Sequence, residues 1–271
     1  MILWLLITFV MMIVSALFEY PVKGLKAHEI CCATVNKRGL AMDRRWMLVD
    51  EEGVFLSQRT LSALTQFAPG FDDRLSIKYL PSGEEQVIEL ESFSEQMEVN
   101  VWGQDCLAHA AVHGVNDWLS DKLDKKVRLV YMNTNDIRPV ESSENDDIVS
   151  FADGYPVLLA SNASLADLNN RLAEPIGMER FRPNIVIDGE VPYEEDGWQR
   201  IKVGTVIFRV VKTCARCHVI NIDQTTGLST KEPLKTLSTY RKEGNKVNFA
   251  VNLIPENEGI IHEEDEVVIL A

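Results

Sequence analysis

The sequence predicts a mainly β protein with a few helices, an α+β chain in two units, on three observations. Short runs of alternating or β-branched residues recur, separated by Gly and Pro turn signals. Only two stretches carry apolar residues at helical spacing. Between the units lies a polar, acidic segment, residues 133–147, NTNDIRPVESSENDD, expected as a linker or a loop over a site.

In chain order, residues 1–14 are an apolar extension. The stretch MILWLLITFVMMIVSAL holds no charged side chain, which approaches the ~18 to 20 apolar residues of a membrane-spanning helix. Assigning Ser15 onward to a strand leaves about fourteen, short for a span. Neither a positive start nor a small-residue cleavage site marks a signal peptide. The extension is read either as an over-long start, with Met12 as an alternative initiator, or as an anchor giving weak membrane association. As an anchor it leaves Lys23, Lys26, Lys37 and Arg38 just beyond it, which keeps the body on the cytoplasmic face.

Residues 15–132 read as the first unit. LFEYPVKG, EICCATVNKRG, RWMLVDEEG, VFLSQR, LSIKYLPSGEEQ, VIELES and MEVNVWGQ are strands of a β-barrel or strongly bent sheet, VNDWLSDKL is a short helix, and KKVRLVYM returns to strand. Residues 148–271 read as the second. SNASLADLNNRLAE begins with capping residues and sets Leu165, Leu168 and Leu172 on one helix face. Strands follow in PNIVIDG, QRIKV, TVIFRVVK, VNFAVNLI and EVVILA, with a hairpin turn at Val203-Gly204.

The chain of 271 residues is 46% hydrophobic and buries a substantial core, while 27 basic against 41 acidic side chains give a net charge of −14. That charge opposes extended contact with a phosphate backbone and excludes nucleic acid as a partner. Basic residues that do cluster must therefore meet something small. The odd count of five cysteines, with Cys31 and Cys32 adjacent, does not make a secreted disulfide framework. A reducing, cytoplasmic location is expected.

The chemistry concentrates in KTCARCHVINIDQTTG, where Cys214 and Cys217 flank Arg216. A structural zinc site needs four ligands, and Cys31, Cys32 and Cys106 lack the complementary spacing. A redox dithiol sits where a strand feeds a helix N-terminus, whereas the β-branched HVINID reads as strand, with His218 facing away from Cys217. Two small buried hydrophobes are the plain alternative. The flanking Lys212 and Arg216 favour a thiolate, so one competent cysteine fits the physics.

TCARCHVINIDQTTG with KEPLKTLSTYR, FRPNIVIDG and FADGYPVLLASNASLADLNNRL resembles the MOSC domain, and the YPVKG and DRRW stretches resemble its N-terminal β-barrel partner. The likeness runs over residues 15–271 and matches the bacterial YcbX type and the mitochondrial amidoxime reducing component. It implies an N-terminal β-barrel domain followed by a MOSC β-barrel domain with peripheral helices. It also implies a molybdenum cofactor in the molybdopterin form, with Cys217 as catalytic thiolate and metal ligand. Soft sulfur suits such a centre. By the same matching, Lys23, Arg44 and Arg182 hold the pterin phosphate, arginine through its planar fork. Arg59, Asn184 and Asp223 join them as weaker matches. Without the motifs each lone cation would be read as a surface salt bridge and Asp223 as turn chemistry.

Three positions depart from the family pattern: Gly24 where serine is common, Gln224 where proline is usual, and Glu264 where glycine precedes the aspartate. The resemblance implies reduction of small N-hydroxylated compounds, hydroxylamines, N-hydroxylated purines and amidoximes, R–NHOH to R–NH2. Five cysteines without ferredoxin spacing leave no iron–sulfur cluster in this chain, so a separate electron-donor protein is expected: a flavoprotein, a ferredoxin or a cytochrome. The alternative is a non-catalytic carrier of the cofactor, or of sulfur as a persulfide on Cys217.

Overall fold

The computed structural model describes residues 11–271 apart from 113, 142 and 144. Most of the apolar extension, residues 1–10, therefore lies outside the described residues, and the membrane expectation rests there. Among the described residues no helix is long and apolar enough to cross a membrane.

The larger sheet runs, by hydrogen-bonded neighbours, through Val267–Ile269, Arg200–Val203, Val206–Ala215, Lys246–Pro255, Val157–Ser161, Ile185–Asp188, Ile13–Glu19 and His28–Ile30. Only Val157–Ser161 and Ile185–Asp188 pair in parallel along this path. The sheet is an open ladder that curls on itself: Ile13 bridges Glu266, Val14 N donates to Asp265 O (3.0 Å), and Val267 N donates to Met12 O (2.8 Å). Leu17, Leu159, Ile185, Ile201, Phe208 and Leu253 fill its interior. Burying each such side chain contributes about 1.5–3 kcal/mol.

The second assembly is a five-stranded sheet, Phe93–Val101, Gln104–Ala111, Arg128–Tyr131, Trp46–Val49 and Val22–Lys23, beside a three-stranded meander, Phe67–Phe71, Leu75–Tyr79 and Glu85–Ile88. The two share one core around Trp46, Leu64, Phe67 and Ile77, and the helix Val115–Leu123 seals it with Val115, Leu119 and Leu123. That spacing is one helical face.

Two facts position the site. Ile13–Glu19 belongs to the larger sheet although it precedes every strand of the five-stranded one, whereas Val22–Lys23 pairs with Trp46–Val49. The chain thus crosses between the sheets at Tyr20-Pro21, so Tyr20 and Lys23 stand at the seam. Phe181–Asn184 leads into Ile185–Asp188, the neighbour of Ile13–Glu19, and so reaches the same seam.

Several local readings change. VFLSQR forms only isolated bridges at Val54 and Phe55. The second helix ends at Asn169, leaving Leu172 packed on the core but outside it. HVINID is not a strand: His218–Asn221 is a 3-10 turn, closed by Ile220 N to Cys217 O (3.3 Å) and Ile222 N to Val219 O (3.0 Å). His218 is exposed and lies outside the strand that ends at Ala215. Among the described residues of the segment 133–147 none lines the cleft at the seam. Arg138 of the segment is 2% exposed and donates to the carbonyls of Ser150 (2.8 Å) and Ala152 (2.6 Å), bracing the loop that carries Asp153. Glu264 takes a positive φ of 67°, the backbone region that favours the family's glycine.

A cationic cleft at the seam

One cleft at the seam is lined by Lys23, Arg44, Arg59, Arg182 and Arg216, together with Cys214 and Cys217. Five cations converge there in a protein of net charge −14. Lys23 stands on a strand and the four arginines on separate turns and loops far apart in the chain, which explains why no local run of sequence looks basic.

The floor is built on Tyr20, 1% exposed. The guanidinium of Arg44 lies 4.2 Å from its ring centroid and that of Arg182 4.3 Å. Both arginines have positive φ, 49° and 56°, a conformation that costs about 1–3 kcal/mol and persists only where surroundings impose it. The surroundings are visible. Tyr20 N donates to Asp43 Oδ1 (3.0 Å) and its hydroxyl donates to Pro183 O (3.2 Å). Arg44 donates to both Asp43 oxygens (2.8 and 2.6 Å), and Asn184 Nδ2 donates to Asp43 Oδ1 (2.9 Å). Burial pushes the Tyr20 hydroxyl up to about 12, against the pull of Arg182 and Arg44, so it stays neutral. Burial opposes the charge on Arg44 too, but Asp43, Tyr20 and Asp153 together more than offset it and its pKa rises. Burial, opposed by Tyr20 and reinforced by Arg44, brings Arg182 down to about 10, still charged at neutral pH.

Arg182 is the floor's open valence. Among the described residues its guanidinium has no hydrogen bond and no carboxylate partner, only the ring of Tyr20. Arg216 donates to Cys214 Sγ (3.0 Å) and Phe181 O (2.8 Å), while its buried Nε has no partner. A guanidinium with no hydrogen bond and one buried Nε without a partner, in a cationic cleft, call for an anion.

Lys23 is buried and donates to Phe151 O (2.7 Å) and to Asp153. Burial lowers its pKa, with Asp153 opposing. The Asp153 side chain is 68% open. Enclosure by the cleft walls opposes its charge, but Lys23, the Trp102 indole N–H and Arg44 hold its carboxyl well below the usual range. At the mouth Trp102, 44% exposed, carries Arg59 at 4.3 Å from its ring centroid.

Cys217 is half-buried, directly before the 3-10 turn, and faces the same cleft as these cations. Among the described residues no three His, Cys, Asp or Glu side chains gather as a metal-ion site. The thiols that line the cleft and could meet a soft metal are Cys214 and Cys217.

Of the residues singled out in the sequence, Cys217, Lys23, Arg44, Arg59, Arg182 and Asn184 line the cleft. Asn184 does so as a brace. It is 1% exposed, and its amide is spent on Asp43, Phe18 O (3.1 Å), Leu158 N (3.1 Å) and Arg44 (3.2 Å). Asp223 is not among the lining residues: Oδ1 accepts from Thr225 N and Thr226 N (3.0 and 2.8 Å), and Oδ2 accepts from Arg180 (2.8 Å). The turn chemistry claims it. Gln224, where proline is usual, exchanges two amide hydrogen bonds with Gln58 (3.0 and 2.9 Å) and so ties the turn to the first unit. Tyr20, Asp43 and Asp153 escaped the sequence reading although they sit inside YPVKG, DRRW and FADGYP. The signal was proximity to the quoted cations. Trp102 gave none beyond a turn-like Trp-Gly.

The chain matches the MOSC domain over residues 146–268 and the MOSC N-terminal beta barrel domain over residues 11–126. It is 33% identical to mitochondrial amidoxime reducing component 2 of Rattus norvegicus, covering 84% of this chain and 72% of that one. Identity to mitochondrial amidoxime-reducing component 1 of Xenopus laevis is 29%, over 94% of this chain and 81% of the relative. A molybdenum cofactor sulfurase of Oryza sativa subsp. japonica is 30% identical over 94% of this chain, which spans 34% of that longer relative. The chain belongs to the MOSC family, with the MOSC N-terminal beta barrel domain preceding the MOSC domain.

Proposed function

We propose that this MOSC family member holds a molybdenum cofactor of the molybdopterin form in the seam cleft and reduces small N-hydroxylated compounds. The overall change is R–NHOH plus two electrons and two protons to R–NH2 and water, with electrons from a separate donor protein. The observation that carries the reading is one half-buried thiol, Cys217, sharing a cleft with five convergent cations. The amidoxime reducing relatives support the same class of reaction.

In this reading Cys217 supplies the protein's sulfur to the metal. Arg44 and Arg182 take the cofactor's phosphate on the Tyr20 platform, where planar forks can grip oxygens in pairs. Lys23 adds charge beside them while neutralising Asp153. When bound, the cofactor supplies a two-electron, oxygen-accepting centre. The chain's own contribution is orientation, a fixed positive field and the thiolate. The protein would work in the cytoplasm, where its acidic surface would steer a basic donor.

The test is reduction of benzamidoxime with reduced methyl viologen. Wild type turns over, and Cys217→Ala falls by at least ~100-fold, as removal of an essential group does. Equal rates in the two proteins overturn the assignment. Direct reduction from NADH with no added protein overturns the separate donor. A second reading, a carrier of cofactor or of a persulfide on Cys217, draws on the sulfurase relative and on the second thiol, Cys214, in the same cleft. It predicts bound cofactor without turnover.

A further inference from the structure

The Arg59–Trp102 pair differs from the floor cations in its exposed ring, 44% open against 1% for Tyr20. Trp102 and Gly103 form the two-residue turn between Phe93–Val101 and Gln104–Ala111, where Val101 faces Gln104. Both have positive φ, 57° and 86°. Such turns favour Asn and Gly, and a bulky residue at positive φ is an outlier. The turn is nevertheless fixed: Gly103 N donates to Asn100 Oδ1 (2.9 Å), whose amide donates to Asp105 Oδ1 (2.6 Å). The indole is fixed as well. Its N–H donates to Asp153 Oδ1 (2.9 Å), and Phe55 packs 4.7 Å away at 57°.

This rigid ring supports one guanidinium, that of Arg59, which among the described residues makes no hydrogen bond and no ion pair from its side chain. A flexible arginine in solvent would pay entropy to bind an anion; here the plane is already set, with its edge donors free. Asp153 does not cancel that charge, because Lys23 is its partner. The floor cations on buried Tyr20 suit a ligand that stays bound. Arg59, on a ring 44% exposed, suits one that enters and leaves.

We propose that Arg59, laid on Trp102, is a specificity-determining residue that takes the carboxylate of the substrate, so that the preferred N-hydroxylated compounds are organic acids. This rests on the reductase reading above. The probes are benzamidoxime and 4-carboxybenzamidoxime, given to the holoprotein with reduced methyl viologen. In wild type kcat/KM is higher for the acid. In Arg59→Gln the acid-to-neutral ratio falls about tenfold, through KM, the scale of one charge-assisted hydrogen bond lost. Arg59→Lys keeps part of the preference, and Trp102→Leu loses it by freeing the guanidinium. Independently of turnover, calorimetric titration finds the acid binding wild type more tightly than the neutral compound. Equal ratios in wild type and Arg59→Gln overturn the inference, as does loss of bound pterin from Arg59→Gln, which would assign Arg59 to the cofactor. Should Arg59→Gln not fold, an unchanged ratio in Trp102→Leu and equal calorimetric affinities overturn it as well. If wild type reduces neither compound, the reductase reading itself fails and this falls with it.

Discussion

At the floor of the cleft Tyr20 is 1% exposed and carries two guanidiniums, Arg44 and Arg182; at the mouth Trp102 is 44% exposed and carries one, Arg59. Both platforms use residues at positive φ, but the strain is held differently. Below, Asp43 and Asn184 knit Tyr20 and Arg44 into a buried hydrogen-bond network that spans both sheets. Above, a hairpin turn and one indole hydrogen bond do the holding. The floor sets two guanidiniums on one buried ring and holds Arg44 through Asp43, which favours a permanent anion, whereas an accessible cation at the mouth costs little to leave solvated. The difference separates a cofactor grip from a substrate contact on the same physical motif.

Removing the floor cations should have the largest effect. Arg44→Met with Arg182→Met should lower retained pterin at least ~100-fold, since each charge-assisted contact contributes about 1.5–3 kcal/mol. Pterin fluorescence after denaturation reads it. The same measurement on Arg59→Gln should change little, and equal losses at both platforms would erase the contrast.

Asn184→Leu comes next. It leaves Leu158 N and Phe18 O without this partner and removes one of the donors to Asp43, which keeps Tyr20 N and Arg44, and should cost about 2–4 kcal/mol in urea unfolding. A loss of activity without a loss of stability would mean that Asn184 touches the ligand instead.

The smallest effect is a pH slope. Glu19, 7% exposed and accepting from Met42 N (3.2 Å), is raised to about 7 by burial and by neighbouring Asp43, with the Met42 hydrogen bond opposing. Its folded pKa lies above the ordinary carboxylate value, so the folded state binds more protons and stability falls as pH rises from about 4.5 to 7. Glu19→Gln should therefore raise Tm more at pH 8 than at pH 5, by a stability difference of up to about 3 kcal/mol. Parallel Tm profiles of the two proteins would contradict it.

The parts of the site that were legible came from motifs carrying charge. YPVKG, DRRW, FRPN and the Cys217 region named residues that the fold brings to one seam, although composition alone gave only an acidic, mainly β chain. What stayed hidden depends on non-local pairing. Nothing local says that Ile13–Glu19 hydrogen-bonds to Ile185–Asp188, and without that pairing Tyr20 is an ordinary aromatic before a proline. Gln104–Ala111, QDCLAHAA, was missed as a strand because Ala108, Ala110 and Ala111 carry little β preference; burial against Met47 and Val130 decides it. The opposite error occurred at Val219-Ile220, where β-branched residues close a 3-10 turn. Trp102 could not be ranked from sequence, since its role follows from a positive φ and from Arg59 arriving 43 positions earlier in the chain.

Metal and pterin content of the purified protein tests the central claim most directly. The account predicts molybdenum and pterin near one per chain in wild type, with molybdenum falling below about a tenth of that in Cys217→Ala while the fold is retained. Undiminished molybdenum in Cys217→Ala, or stoichiometric zinc with no pterin in wild type, would contradict it.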